Sequence, residues 1–169
     1  MAQITFKGSS VDLPGNIPAV NTIASDFSFV KRDLSESRLS KLLGNVIVLI
    51  ALPSLDTGTC AMETRKFNEK LANLQGVLGI VISKDLPFAM RRFCEVEGIR
   101  NVDAVSDFRY HEMGKNYNIE MLDGPMKGLM ARAVWVIDRD GKIVYSELVR
   151  EVVQEPDYDK VLETVNSLL

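Results

Sequence analysis

The chain has 169 residues, 46% of them hydrophobic and 25% charged, which is long and apolar enough for a full core without structural disulfides or metals. Its 20 Lys and Arg against 23 Asp and Glu give a formal net charge of −3. With no basic block to neutralise phosphates, that balance argues against nucleic-acid binding. Two cysteines and a single histidine argue against a structural zinc site, whose tetrahedral Cys/His set they cannot fill.

Ile4, Phe6, Val11 and Leu13 alternate around Gly8-Ser9-Ser10 and predict an N-terminal β-hairpin. Residues 1–7 lack the apolar run of a signal peptide. Residues 14–18 read as a loop, and residues 27–30 as a short strand. Leu34, Leu39, Leu42 and Leu43 suggest a short helix ended by Gly44. Residues 46–52 are apolar at every position, as in a strand buried on both faces of a parallel sheet. The run is too short to span a bilayer, so no membrane partner is expected and the cytoplasm is the default location. In that compartment thiols stay reduced, and a cysteine pair is more often catalytic or metal-binding than structural.

From Cys60 to Leu74 the period becomes helical, with Met62, Phe67, Leu71 and Leu74 on one face and Glu63, Arg65, Lys66, Glu69 and Lys70 mostly on others. Residues 77–82 predict a second buried strand. Residues 87–97 predict a helix with Pro87 in the first turn, Gly98 past the end, and Phe88, Phe93 and Val96 as its core face. Weaker signals place a strand at 102–105 and a short helix at 110–117. Strands at 133–137 and 142–146 flank the turn Asp138-Arg139-Asp140-Gly141. The chain closes with an amphipathic helix that turns Tyr158, Val161, Leu162, Val165 and Leu168 inward. No repeat or linker divides residues 1–169, so one domain is expected. The order of elements fits an α/β protein with a thioredoxin-like fold: a central mixed β-sheet flanked by helices, preceded by an N-terminal β-hairpin.

The chemistry concentrates where the strand at 46–52 turns into the next helix. The segment Pro53-Ser54-Leu55-Asp56-Thr57-Gly58-Thr59-Cys60 puts Cys60 in or just before the first helical turn. There free N–H groups and the positive end of the helix dipole favour a thiolate. Thr57, three residues earlier, can aim its hydroxyl at anything bound to the sulfur, and Pro53 can wall the sulfur from water. Against this stands the plainer reading of Cys60 as a packing residue. Cys94 by itself reads as a small core filler; paired with Cys60 in a chain holding no other cysteine, it becomes a candidate redox partner. Arg132 interrupts the apolar run 129–137. Either it sits by Cys60, holding the thiolate and polarising a peroxide, or it snorkels to water from a strand end. His111 reads as a surface residue and Trp135 as core. Met113, Met121, Met126 and Met130 suit gap-filling, with a pocket or dimer seam as the alternative.

Pro53, Thr57 and Cys60 match the P-x-x-x-T-x-x-C signature of the peroxiredoxins, and Arg132 falls where that family carries an active-site arginine. With residues 83–94 (S-K-D-L-P-F-A-M-R-R-F-C), 123–134 (D-G-P-M-K-G-L-M-A-R-A-V) and 155–158 (E-P-D-Y), the chain resembles the bacterial thiol peroxidase subfamily, the atypical two-cysteine peroxiredoxins. The resemblance spans essentially the whole chain. It implies that Cys60 is the peroxidatic cysteine and Cys94 the resolving one, joined in an intrasubunit disulfide. Thr57 would hydrogen-bond thiolate and peroxide, Arg132 would stabilise both, and Pro53 would shield them. The implied substrates are hydrogen peroxide and alkyl hydroperoxides, the implied reductant is thioredoxin, and the implied assembly is a homodimer with no metal or other cofactor.

Two other functions compete. A disulfide oxidoreductase on the same fold would need a C-x-x-C pair that this sequence lacks. A redox-sensing binding protein would share the first oxidation step and differ only in turnover. The placement of Cys60 and Cys94 on two helices also predicts local unwinding before a disulfide can close, with the helix at 87–97 the more ready to give way.

Overall fold

The computed structural model describes residues 2–169. Strands β1 (Ala2–Phe6) and β2 (Ser9–Leu13) form the N-terminal hairpin. The remaining strands are β3 (Ser28–Lys31), β4 (Glu36–Arg38), β5 (Val46–Ala51), β6 (Val77–Ser83), β7 (Val102–Ser106), β8 (Ala133–Ile137) and β9 (Ile143–Leu148). They make one seven-stranded sheet in the order β4-β3-β7-β6-β5-β8-β9. Pairing is parallel for β5–β6 and β6–β7 and antiparallel elsewhere, so the sheet is mixed. Helices α1 (Gly58–Lys70), α2 (Pro87–Glu97), α3 (Glu112–Asn116) and α4 (Tyr158–Ser167) complete the chain. Among the described residues no helix is long and apolar enough to cross a membrane.

The unbroken apolar run of β5 follows from its central position: every one of its six residues is buried. Ile47, Leu49 and Ala51 face one hydrophobic layer with Trp135, Tyr117 and the hairpin residues Ile4, Val11 and Leu13. Val46, Val48 and Ile50 face the other, with Phe67, Met90, Val161, Val165 and both cysteines. Each fully buried aliphatic side chain contributes roughly 1.5–3 kcal/mol, so β5 is the axis to which the site is attached. Gly79 on β6 marks a close approach of α1 to β7: a Cβ there would lie 2.6 Å from Val102 and 2.8 Å from Leu71. Met113, Met121 and Met130 fill the first layer.

Two local expectations fail. The leucines at 34–43 form no α-helix. Leu34 takes a left-handed turn conformation (φ 72°), with the Asp33 carboxylate accepting the Ser35 N–H and hydroxyl. The chain then pairs as β4 before a single 3₁₀ turn, Leu39–Leu42. On α2 the buried stripe is Pro87, Met90 and Cys94, spaced i, i+3, i+7 as one helix face requires. Phe88 is 63% and Val96 78% exposed. Phe88 and Val96 lie roughly 100° or more around the helix from that stripe and so face solvent, whereas Phe93, at its edge, is partly buried against the core. The ends of α2 agree with expectation: Pro87 opens it and Gly98 closes it at φ 66° in the left-handed region.

Candidate active site

Thr57 is the N-cap of α1. Its hydroxyl oxygen accepts the Cys60 N–H at 3.3 Å, and its own hydroxyl donates to the Ser54 carbonyl at 3.2 Å. These bonds satisfy one of the orphan donors of a helix start and hold Cys60 in the first turn. Cys60 is fully buried, at the carboxyl end of β5 where α1 begins. Thr57 therefore orients the backbone under the sulfur and makes no bond to the sulfur itself. Pro53 is buried two residues past the end of β5.

Arg132 immediately precedes β8, whose Ala133 pairs with Ala51 at the end of β5. This register carries the arginine to the same edge as Cys60. Its Nη2 donates to Cys60 Sγ at 3.3 Å. Nε and Nη2 also donate to the Val152 carbonyl at 3.0 and 2.8 Å, and Nη1 forms a short ion pair with Glu63. Both members of that pair are almost wholly buried. Burial works against the Arg132 charge, and the attraction of Glu63 and Cys60 outweighs it, so its proton is held more tightly than in an ordinary arginine. The snorkelling alternative is thereby excluded.

Two supports of this arrangement were not identified in the sequence. Glu63 is fully buried, although helical periodicity alone grouped it with the solvated charges of α1. Its i, i+3 spacing from Cys60 was the available signal. The other support is the N-terminal hairpin. Thr5 N–H donates to the Arg150 carbonyl at 2.7 Å, and Val152 N–H donates to the Thr5 carbonyl at 2.8 Å. The Glu151 carboxylate accepts the N–H groups of Lys7 and Gly8. The hairpin thus fixes residues 150–152 and, through the Val152 carbonyl, the Arg132 side chain.

Burial pushes Glu63 up to about 7, with Arg132 pulling in the opposite direction and failing to overcome it. Because the folded state binds this proton more tightly than the unfolded chain, whose Glu titrates near 4.5, its contribution to stability is full below about 4.5. It is lost as pH rises through about 7. Glu63→Gln is expected to flatten the fall in unfolding free energy across that window, measured by denaturant titration at a series of pH values. An unchanged pH slope would show that Glu63 titrates as an ordinary carboxyl.

Cys94 lies on the buried face of α2, 3% exposed, and neither cysteine is in a disulfide. Burial pushes the Cys94 thiol up, and Arg32 offsets part of that rise. Arg32, just past β3, reaches to within 4.0 Å of Asp103 at the beginning of β7. Asp103 pairs with Ile80, the central residue of β6, so this contact lies about halfway along the strands and not at the carboxyl edge where α1 begins. Arg132 and Arg32 are also separated across the sheet by the four spacings from β3 to β8, each about 4.8 Å. The structure therefore brings Cys60, Thr57 and Arg132 together and keeps Cys94 apart from them. A cavity of about 410 Å³, lined by Arg32, Arg91, Glu95 and Asp103 among others, opens beside the α2 face that flanks Cys94.

The Redoxin family matches residues 18–162. The chain belongs to the redoxin family. As a redoxin it has relatives along its whole length: a thiol peroxidase of Leptospira interrogans is 46% identical over 171 residues, covering 100% of both chains. A thiol peroxidase of Corynebacterium glutamicum is 43% identical, covering 98% of this chain and 100% of that one. The crystal structure of a peroxiredoxin-like protein from Aquifex aeolicus superimposes with a TM-score of 0.94 at 44% identity, covering 99% of this chain and 97% of that one. The mixed sheet, flanking helices and N-terminal hairpin of this redoxin are thus the architecture of the peroxiredoxins.

Proposed function

We propose that this redoxin is a thiol-dependent peroxidase in which Cys60 is the peroxidatic and Cys94 the resolving cysteine. The peroxidase class follows from the full-length relationship to thiol peroxidases. The single observation that supports Cys60 as the nucleophile is the Arg132 Nη2–Sγ contact at the start of α1. A buried cation and the helix N-terminus both favour the thiolate there.

The thiolate attacks one oxygen of a hydroperoxide. The O–O bond breaks, the peroxide's proton passes to the departing oxygen so that it leaves as water or an alcohol, and Cys60 is left as a sulfenate that takes a proton from solvent to become the sulfenic acid. Negative charge develops on the departing oxygen, and Arg132 is the donor already in place to stabilise it. Thr57 holds the Cys60 backbone at that donor and can turn its hydroxyl to the bound peroxide, while Pro53 keeps water from the sulfur. The Cys94 thiol then attacks the sulfenic sulfur, forming the Cys60–Cys94 bond and releasing water. Thioredoxin, as a dithiol reductant, reopens the bond by exchange. The proposal includes a cytoplasmic homodimer, with residues 1–169 acting as one domain.

Peroxide-dependent NADPH oxidation through thioredoxin reductase and thioredoxin tests the proposal, with hydrogen peroxide and an alkyl hydroperoxide compared. Many turnovers per protein are expected; one equivalent consumed and no more would point instead to a redox sensor. Cys94→Ser should still consume one equivalent and yield a dimedone-trappable sulfenic acid, while losing most thioredoxin-linked turnover and over-oxidising at lower peroxide. Cycling at the wild-type rate would remove Cys94 from the mechanism.

A further inference from the structure

Ser83 and Ser106 face each other across the carboxyl ends of β6 and β7, and both are fully buried. Buried hydroxyls need partners, and these converge on Asp85. Ser83 Oγ donates to Asp85 Oδ2 at 2.7 Å and accepts the Asp85 N–H at 3.2 Å. Ser106 Oγ donates to the Asp85 carbonyl at 2.5 Å. So oriented, the Asp85 carboxylate reaches the loop before α1. Oδ1 accepts the Ser54 hydroxyl at 2.7 Å, and Oδ2 accepts the Leu55 N–H at 2.8 Å. The Ser54 carbonyl in turn accepts both the N–H and the hydroxyl of Thr57, whose oxygen accepts the Cys60 N–H. One unbroken series of hydrogen bonds therefore runs from Asp85 to Cys60.

The two ends of this series differ in how firmly they are held. Lys84, its side chain 10% exposed, bonds to the fully buried Asp107 at 2.9 Å. Asp107 also accepts the N–H groups of Met113 and Gly114. The 83–85 segment, which leads directly into α2, is thus pinned to the sheet and to α3. Among the described residues, 54–57 have no comparable ion pair, and Asp85 is their main attachment to that pinned segment.

We propose that Asp85 is a positioning residue that latches the Cys60 loop to the head of the Cys94 helix. It thereby sets the balance between the closed form that reacts with peroxide and the opened form that forms the disulfide. This rests on the reading of Cys60 and Cys94 given above. The closed form needs the latch to keep Cys60 under Arg132. In the second step a Cys94 S–Cys60 S bond forms, the sulfenic S–O bond breaks, and the oxygen leaves as water with the Cys94 proton. That step requires the loop to come away from Asp85, because the Cys94 thiol lies on the Arg32 side of the sheet and Cys60 is held by Arg132, which precedes β8, four strands away from β3. Weakening the latch should therefore slow the first step and accelerate the second. A residue that merely supports the fold would slow both.

Ser54→Ala removes one arm of the latch, and Asp85→Asn removes an acceptor while keeping the size. Each full-length variant would be mixed rapidly with hydrogen peroxide, quenched with acid, alkylated and weighed by mass spectrometry. This resolves thiol, sulfenic, disulfide and sulfinic forms of Cys60. Expected are sulfenic acid formation slowed by about fivefold, disulfide closure accelerated by about fivefold, and less sulfinic acid at high peroxide, the weight of one hydrogen bond. Disulfide closure unchanged or slowed in the variants would overturn the latch. If Asp85→Asn does not fold, Ser54→Ala decides by itself. The wild-type trace separates loss of the latch from loss of the peroxidase chemistry. Wild-type oxidation and closure with no opposed change in the variants removes only the latch, whereas no Cys60–Cys94 bond in the wild type removes the function and the latch together.

Discussion

Cys60→Ser is expected to reduce peroxide turnover by roughly a thousandfold or more, the scale seen when an enzyme loses its nucleophile, while the protein keeps its fold. The serine is close to cysteine in size, and the site is a fully buried position at a helix start. Its hydroxyl can occupy the same space and accept from Arg132 Nη2. A serine hydroxyl at that position is not ionised, and no other group faces Arg132 in the role of the sulfur, so the O–O bond is left without an attacking atom. The measurement is NADPH-linked peroxide consumption together with the circular dichroism and thermal midpoint of the variant. Substantial turnover in a folded Cys60→Ser protein would transfer the chemistry to another residue, with Cys94 the first to test.

Arg132→Met is expected to damage both activity and stability, for separable reasons. Loss of the guanidinium removes the Sγ contact at 3.3 Å and the charge opposite the departing oxygen. The second-order rate with peroxide should fall by about 10²–10³, as when a preorganised donor is removed. The Cys60 thiol should also alkylate more slowly at neutral pH. Stability should fall because Glu63, buried with its Oε1 already unpaired among the described residues, loses its ionic partner Arg132. Breaking a buried pair in this way costs about 3–5 kcal/mol. At pH 5 the loss should be smaller, since Glu63, raised by burial to about 7, is then protonated and leaves no buried charge. The double variant Arg132→Met/Glu63→Gln should recover most of the stability and none of the activity. If it recovered both, Arg132 would be a structural residue with no part in the reaction.

The fold was legible where a single physical signal dominated. The uninterrupted aliphatic run of β5 announced a strand buried on both faces, and its six buried residues agree. Pro87 and Gly98 bracketed α2 at the limits observed. The register of the site was not legible in this way. Arg132 had two equally physical readings, and only the antiparallel pairing of β8 with β5, a contact between residues some eighty positions apart, decides that its side chain turns inward. Glu63 was read as solvated because most charged residues of an amphipathic helix are, and the exception is created by Arg132 on another element.

The same division explains the two failures. The leucines at 34–43 have helical spacing, but the Asp33–Ser35 turn and pairing with β3 consume their backbone groups first. On α2 the apolar residues outnumber the places available on one face. Phe88 and Val96 are as hydrophobic as a core demands, but they lie on a different face of the helix from the buried Pro87, Met90 and Cys94. By itself the sequence determined the local features: the buried central strand, the helix start that presents Cys60, and the ends of α2; the capping role of Thr57 emerged only in the folded chain. Tertiary structure alone decided which distant groups meet there, namely Arg132, Glu63, the Val152 carbonyl supported by the hairpin, and Asp85 beneath the loop. The reason is physical: caps and periodicity act over three or four residues of chain, whereas an ion pair or a buried hydrogen bond depends on strand order and register, which no local pattern encodes.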